Sequence, residues 1–326
     1  MKNLKYMFIR VSENCNSRCF MCGFAGKHDS YNLTDEKFEN LLSLMKKEGT
    51  YEVVRFTGGE PMMHPHLAHF IKRCKEEGYK TSIISNCYLL PMLYKNLCDA
   101  GLDQIIVSLD GATREVHDSL RNFNGCFDNI KNGIALVKKE YPNVKIRVNT
   151  VVSGKNIETL EDMLDLLIDW GVDAWSLIPL RSPENSYKDK IESCYKIYEK
   201  FKQRVENIEK PKMLGFCKQW AGRTPDEMKN LFENNKPYSP NGKCRLVERV
   251  RFYIPNPEMI VPCNCAAHRV EQISINKKKF EDLEKDAENM QNWLQENGPS
   301  VCTGCEPLNV FMAENPDCID EDLFAF

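Results

Sequence analysis

Three cysteines stand close together near the start of the chain, in the run Cys15-Asn16-Ser17-Arg18-Cys19-Phe20-Met21-Cys22. The spacing is C-x3-C-x2-C. Thiolates at short fixed spacing are what iron–sulfur clusters require of a protein. Three of them on one loop hold three irons of a 4Fe–4S cube and leave the fourth iron without a protein ligand. An open iron can bind the amino and carboxylate groups of methionine, which turns a passive cluster into a reagent. Zinc is the competing reading, but zinc sites usually take four ligands in paired knuckles, and the fourth is absent here. Small buried cysteines scattered through a core are the blander alternative.

Something must hold that loop. It follows directly on an apolar strand pattern, Met7–Ser12, and further β-rich runs cover Tyr51–Thr57, Lys80–Ser85, Gln104–Leu109, Lys145–Val152 and Ala174–Leu180. Helical patterns lie between them. One begins after Thr34, with Phe38, Leu41, Leu42 and Met45 on one face; others cover Leu67–Glu77, Phe127–Glu140 and Ile157–Trp170. Strands alternating with helices favour right-handed crossovers and a parallel sheet. Six such units fit an α/β class chain built on a partial (β/α)6 TIM-like barrel; the two further units of a full barrel are not found.

Polar residues sit where these strands end, the face on which barrels keep their active sites. The second strand ends in Phe56-Thr57-Gly58-Gly59-Glu60-Pro61 and the third in Ser85-Asn86. The fourth ends in Ser108-Leu109-Asp110-Gly111, and Arg121 follows thirteen residues after Ser108. The fifth carries Arg147, Asn149 and Val151, and the sixth Leu177, Ile178 and Pro179. Taken singly each has a plain reading: a glycine pair is a turn, Asp110-Gly111 a helix entry, Arg121 a surface ion pair.

In their order on successive strands they resemble the radical SAM superfamily, beginning with the cysteine triad and the aromatic Phe20 before its last member. The resemblance implies that Cys15, Cys19 and Cys22 hold a 4Fe–4S cluster that binds S-adenosylmethionine (SAM). It implies that Gly58 and Gly59 let the backbone approach the ligand, and that the main chain or Glu60 accepts from the methionine ammonium. Ser85 and Asn86 stand at the family's polar tip of strand three. Ser108 and Arg121 hold the carboxylate, beside Asp110, and a guanidinium suits that task because it binds bidentately. Asn149 and Val151 lie on strand five, and Leu177, Ile178 and Pro179 are set against adenine. The implied chemistry is one-electron cleavage of the sulfonium to a 5′-deoxyadenosyl radical, which abstracts hydrogen from a substrate, with a flavodoxin or ferredoxin type electron donor as partner. Arg147 is a candidate base by position only.

The bulk numbers agree with a globular chain. It has 326 residues, 42% hydrophobic and 28% charged, with a formal net charge of −3. That charge gives no strong pull toward nucleic acid or an anionic membrane. No apolar run reaches the length of a membrane span, and the start lacks a signal-peptide pattern, so a cytoplasmic protein is expected. Fifteen cysteines are many for such a compartment, and an odd number fits a disulfide framework poorly.

After Pro183 the texture changes. Three parts are expected: a barrel over 1–183, a helical connector over 184–243, and a small α+β domain over 244–326. The last begins at Cys244, carries a hairpin (Val250–Ile254, Met259–Pro262) and a charged helix near Lys277–Asn297, and ends with Cys302, Cys305 and Cys318. Cys244, Cys263 and the pair Cys302-x2-Cys305 make a four-thiolate set for a second, auxiliary 4Fe–4S cluster, with zinc as the alternative and Cys265 able to replace Cys263. This arrangement resembles the twitch domain, a shortened SPASM domain. Cys74, Cys87, Cys98, Cys126, Cys194 and Cys217 show no paired spacing and read as buried apolar residues, Cys217 least securely. His64, His66 and His69 read as helix-start residues, His117 as orienting the Arg121 loop, and His268 as lining the auxiliary cluster.

A closed auxiliary cluster passes electrons, as in the twitch-type aminocyclitol dehydrogenases, which oxidise a carbon bearing a hydroxyl or amine. Phe8-Ile9-Arg10-Val11, Cys19-Phe20-Met21-Cys22-Gly23-Phe24-Ala25 and Cys263-Asn264-Cys265-Ala266-Ala267-His268-Arg269 resemble enzymes of nucleoside antibiotic pathways that decarboxylate cytosylglucuronic acid. The expected substrate is therefore a small polar molecule, a sugar, aminocyclitol or sugar nucleoside, undergoing dehydrogenation or decarboxylation. A peptide-modifying maturase is the rival; only fourteen residues precede Cys15, too few for a peptide-recognition domain. An electron-transfer protein using clusters as wires is the third reading, and the strand-end motifs speak against it.

Overall fold

The computed structural model describes residues 5–28, 31–180, 204, 208–215, 244, 246–263 and 282–301. Six parallel strands form the frame: β1 (Tyr6–Ser12), β2 (Val53–Gly58), β3 (Lys80–Ser85), β4 (Gln104–Ser108), β5 (Lys145–Val152) and β6 (Ala174–Pro179). Each pairs with its sequence neighbour, so the order in space is the order in the chain. Helices α1 (Asp35–Glu48), α2 (Leu67–Glu76), α3 (Leu90–Asp99), α4 (Arg114–Arg121), α5 (Cys126–Glu140) and α6 (Leu160–Asp169) make the crossovers. This is the partial barrel expected from the alternation.

The alternation of side chains along β1 divides the interior. Met7, Ile9 and Val11 join the large core between strands and helices, while Tyr6 and Phe8 face the other side with Val53 and Val250. Against the outer face α1 buries Phe38, Leu41, Leu42 and Met45, the four residues its periodicity singled out, and the Phe38 ring stacks on Phe70 of α2 at 4.2 Å. Thr34 caps α1 by accepting from Lys37 N, and Gly49 ends it in the left-handed region.

Three elements differ from the sequence expectation. Helix α3 was not anticipated; Pro91 reads as a breaker but sits in the first turn, where its missing N–H costs nothing, and Leu90, Tyr94, Leu97 and Cys98 are buried behind it. Helix α4 is short, and its burial of His117, Asp118, Leu120 and Arg121 is mostly polar, so no apolar stripe announced it. Within the stretch read as a helical connector lies a strand, β7 (Lys212–Gly215), parallel to β6. The remainder of that stretch lies outside the described residues.

The C-terminal hairpin is where the sequence puts it, as β8 (Val250–Pro255) and β9 (Glu258–Val261), followed by α7 (Leu283–Val301). It is not a detached layer. β8 pairs in parallel with β1, Tyr6 to Val250 through Ile9 to Tyr253, and Phe8 stacks on Phe252 at 4.5 Å. One sheet of nine strands results, in the order β7-β6-β5-β4-β3-β2-β1-β8-β9.

A buried polar knot joins this unit to the barrel. Arg251 on β8 is 1% exposed; its Nε donates to Glu284 Oε1 of α7, its Nη2 to Gln291 Oε1, and its Nη1 to the carbonyls of Val247 and Val250. Tyr51, just ahead of β2, donates its hydroxyl to the same Glu284 oxygen at 3.0 Å. Burial and then Glu284 push the Tyr51 pKa well up, so it stays a donor. Glu284→Ala leaves a buried guanidinium without its carboxylate and is expected to cost about 3 kcal/mol or more. Denaturant unfolding measures this; a midpoint equal to the wild type's would mean the knot is replaceable by water. Among the described residues no helix is long and apolar enough to cross a membrane.

Candidate active site

The strand ends converge on one cavity of about 680 Å³. β1 runs out at Ser12 into the cysteine loop, which is closed on itself by Cys15 N to Lys27 O (2.9 Å), Gly26 N to Ser17 O (2.9 Å) and Cys22 N to Cys19 O (3.2 Å). Phe24 on the loop lies under the Arg10 guanidinium at 4.9 Å and the Lys27 ammonium at 5.0 Å. All three thiols are free and line the cavity, Cys15 and Cys19 buried, Cys22 exposed. Burial, more than any neighbouring charge, pushes the Cys15 thiol up to about 11. Taking up a metal ion there therefore releases a proton.

The end of β2 lies against this loop backbone to backbone. Gly59 N donates to Ser12 O at 2.8 Å and Glu60 N to Asn14 O at 2.7 Å. A Cβ on Gly58, whose φ is +147°, would meet Ser12 O at 2.1 Å, and one on Gly59 would meet Asn14 O at 2.2 Å. The glycine pair thus permits close approach to the cysteine loop itself, in addition to lining the cavity.

Glu60 is 1% exposed, and burial pushes its carboxyl up despite three hydrogen bonds. Oε1 accepts from Ser85 Oγ (2.6 Å) and Met62 N (3.0 Å), and Oε2 from Asn86 N (2.7 Å). Its carboxylate ties β2 to the tip of β3. Asn86 then reaches the cysteine loop, donating Nδ2 to Asn16 Oδ1 at 2.8 Å.

Arg121 closes the far side. Its Nη1 points a hydrogen at Cys19 Sγ (3.7 Å), and its Nη2 lies 2.7 Å from Asp110 Oδ2. Its backbone oxygen accepts from Ser17 Oγ (3.0 Å) and Arg18 N (3.3 Å). Burial opposes the Arg121 charge, yet Asp110 and then Cys19 hold its pKa above the free value. His117 contributes an Nδ1 acceptor to Asp110 N at 3.1 Å, and burial, then Arg121, keep it neutral.

The cavity therefore gathers Cys15, Cys19, Cys22, Gly58, Gly59, Glu60, Ser85, Asn86, Ser108, Arg121, Asn149, Val151 and Ile178. Five residues singled out in the sequence do not line it. Phe20 carries the Lys155 ammonium over its ring at 4.5 Å. Asp110 is completely buried, with Oδ1 accepting from Val151 N at 2.8 Å and Oδ2 facing Arg121. Arg147 is 4% exposed, and its Nε donates to Asn149 Oδ1 at 3.0 Å. There it acts as a donor, and a guanidinium gives up its proton too reluctantly to serve as a base. Pro179 closes β6, and Leu177 points to the outer core. Cys302, Cys305, Cys265, Cys318, Cys194, Cys217 and His268 lie outside the described residues.

Residues missed in the sequence also line the cavity: Arg10, Glu13, Phe24, Lys27, Thr57 and Ile84. Period two along β1, β2 and β3 could have found Arg10, Thr57 and Ile84; the loop residues carried no pattern. Among the described residues no three His, Cys, Asp or Glu side chains already close around one metal position. His64 instead faces Leu33 O at 2.9 Å, and His66 faces Asp35 at 2.6 Å.

The site suits a three-thiolate cluster bound by an amino acid. It supplies three free thiols from one loop, and beside them a buried cation whose Nε has no partner among the described residues. It has the size of a small-molecule pocket.

Comparison with known proteins agrees. Residues 9–167 match the family model described as Radical SAM superfamily. A probable GTP 3′,8-cyclase of Sulfurisphaera tokodaii is 28% identical over 214 residues, 64% of this chain and 67% of that protein. An S-adenosylmethionine-dependent nucleotide dehydratase of Selenomonas ruminantium is 24% identical over 180 residues, 53% of this chain and 65% of that protein. Other cyclases are spanned over 57–63% of their length, so the chain matches only part of its curated relatives. In fold it is similar to the crystal structure of Streptococcus suis SuiB bound to S-adenosylmethionine, with a TM-score of 0.68 at 16% identity, covering 95% of this chain and 72% of that one.

Proposed function

From a barrel whose residues 9–167 match the Radical SAM superfamily model, we propose that this protein cleaves SAM reductively in the cavity described and uses the resulting radical to take hydrogen from a small polar substrate. The observation that carries the reading is the convergence of the cysteine loop, the Gly58-Gly59 turn and Arg121 on one cavity. A 4Fe–4S cluster held by Cys15, Cys19 and Cys22 would, once reduced by the electron donor, supply the one electron that splits SAM into methionine and a 5′-deoxyadenosyl radical.

The chain's own residues bind, orient and shield. Cys15, Cys19 and Cys22 are the cluster ligands. Ser108 and Arg121 take the methionine carboxylate. Because the Glu60 carboxylate already accepts from Ser85, Met62 N and Asn86 N, the ammonium goes to main-chain carbonyls of the glycine turn. Asn149, Val151 and Ile178 form the nucleoside side. The substrate reading is a sugar, aminocyclitol or sugar nucleoside, in an oxidoreductase or lyase reaction fed by a flavodoxin or ferredoxin. The names of the curated relatives, a GTP cyclase and a nucleotide dehydratase, favour a small nucleotide-like molecule over a peptide.

The second cluster belongs to the same proposal. Cys244 and Cys263 pack on one apolar cluster with Val247, Ile254, Val261, Met290 and Leu294, and Cys302 and Cys305 complete the thiolate set.

Anaerobically reconstituted protein, given a chemical reductant and SAM, is expected to form 5′-deoxyadenosine and to hold about eight irons per chain, falling to about four in Cys263→Ala. No 5′-deoxyadenosine would overturn the activity and revive a purely electron-carrying role. About four irons in both proteins would remove the auxiliary cluster alone.

A further inference from the structure

Asp110 and Arg121 form a buried couple behind the cysteine loop. The Asp110 carboxylate is 0% exposed and does not line the cavity, so it touches no ligand there. One of its oxygens takes Val151 N at 2.8 Å, which anchors it to β5; the other lies 2.7 Å from Arg121 Nη2. The rest of the guanidinium faces two other directions. Nη1 reaches Cys19 Sγ at 3.7 Å, and Nε is buried with no partner among the described residues. The backbone at Arg121 is meanwhile stitched to the loop through Ser17 and Arg18. The cation is thus held at both its main chain and its tip, with one donor unused.

We propose that Asp110 is a positioning residue: it fixes the Arg121 guanidinium so that one N–H serves the Cys19 thiolate while another remains for the SAM carboxylate, coupling SAM binding to the cluster's reduction potential through a single side chain. The assignment rests on the functional reading above, since it needs a cluster and SAM in this cavity. A cation beside a ligand sulfur favours the reduced cluster, because it offsets the added negative charge; hydrogen bonds to the sulfur act in the same direction. The nearby Asp110 carboxylate moderates that field. An arriving carboxylate shares the same cation and changes the field again. Thermodynamic reciprocity then requires the oxidised and reduced clusters to bind SAM with different affinity.

Asp110→Asn tests this in the reconstituted holoprotein, because it keeps the shape and the Val151 contact while removing the charge that orients Arg121. Expected are unchanged iron content, a higher midpoint potential without SAM, and SAM binding weakened about tenfold. The SAM-induced shift in potential should shrink with it. A merely structural Asp110 would move none of these while iron is retained. Wild-type potential and SAM affinity in Asp110→Asn overturn the proposal, as does tighter SAM binding.

If Asp110→Asn fails to hold iron, Arg121→Lys decides. It keeps the charge but cannot bond Cys19, Asp110 and a carboxylate together, so SAM binding should weaken with the SAM-free potential near the wild type's. Unchanged SAM affinity there overturns the proposal. A wild-type protein that makes no 5′-deoxyadenosine sinks the functional reading instead; one that does, beside unaltered variants, sinks only the role of Asp110.

Discussion

Cys19→Ala is expected to fold and to be inert. Cys19 is 7% exposed, its sulfur lies 3.0 Å from Ser17 Oγ and 3.7 Å from Arg121 Nη1, and it sits on a loop whose backbone closes without it. Losing one small side chain there costs on the order of 1 kcal/mol of stability. The cluster fares differently. Two thiolates do not hold a cube, so the visible absorption and iron of the first cluster should vanish. Formation of 5′-deoxyadenosine should fall to background, at least about a thousandfold, equivalent to ~4 kcal/mol in the barrier. Cys74→Ala is the control: Cys74 is buried in the core between helix and sheet, away from the cavity, and its loss should leave iron and turnover in place. An active Cys19→Ala protein would refute the ligand assignment; an inactive one that keeps its full iron would refute it as well.

The second large effect is expected from Gly59→Ala. The new Cβ would stand 2.2 Å from Asn14 O and 2.7 Å from Glu13 O, both backbone atoms, so no side chain can swing aside. The turn must back away from the cysteine loop. That breaks Gly59 N to Ser12 O and Glu60 N to Asn14 O, each contributing about 1 kcal/mol net, and overpacking adds about 1–3 kcal/mol. A destabilisation of about 3 kcal/mol or more follows. Because the displaced loop carries Cys15 and the displaced turn carries the main-chain carbonyls proposed for the methionine ammonium, SAM affinity should fall as well. Gly78→Ala separates the two effects. Gly78 has φ +85° with open space around it, so alanine there costs about 1–2 kcal/mol of backbone strain and leaves SAM binding alone. Chemical denaturation and SAM titration read both variants. Wild-type stability in Gly59→Ala would mean that the contact yields, and would remove the argument for a glycine at that position.

Much of this was legible beforehand. The six barrel strands carry short β-rich runs whose apolar residues recur on the face turned toward the helices, and such runs survive as a pattern in the chain. The amphipathic face of α1 was read residue by residue. The cysteine triad needs no neighbours to be recognised, since its spacing is local. Helix α3 escaped because Pro91 in its first turn looks like a stop, and α4 because what it buries is polar. Strand β7 lies in a stretch rich in charged and aromatic residues, which masks a run of four.

The roles of individual polar residues divide the same way. By itself the sequence singled out the cysteine triad, the barrel class and the set of strand-end residues that would share a face, because each of these follows from short spacing or from period-two alternation. Only the tertiary structure decided what those residues do for one another. It made Glu60, which lines the cavity, also a brace between β2 and β3, turned Asp110 toward Arg121, made Arg147 a buried donor, and laid β8 against β1 so that the C-terminal hairpin extends the barrel sheet. The physical reason is common to all four. A carboxylate, a guanidinium or a strand edge takes whatever partner the fold brings within about 3 Å, and that partner stands 11 to 244 residues away or, for Arg147, two residues along the same strand, where only the rotamer chooses it.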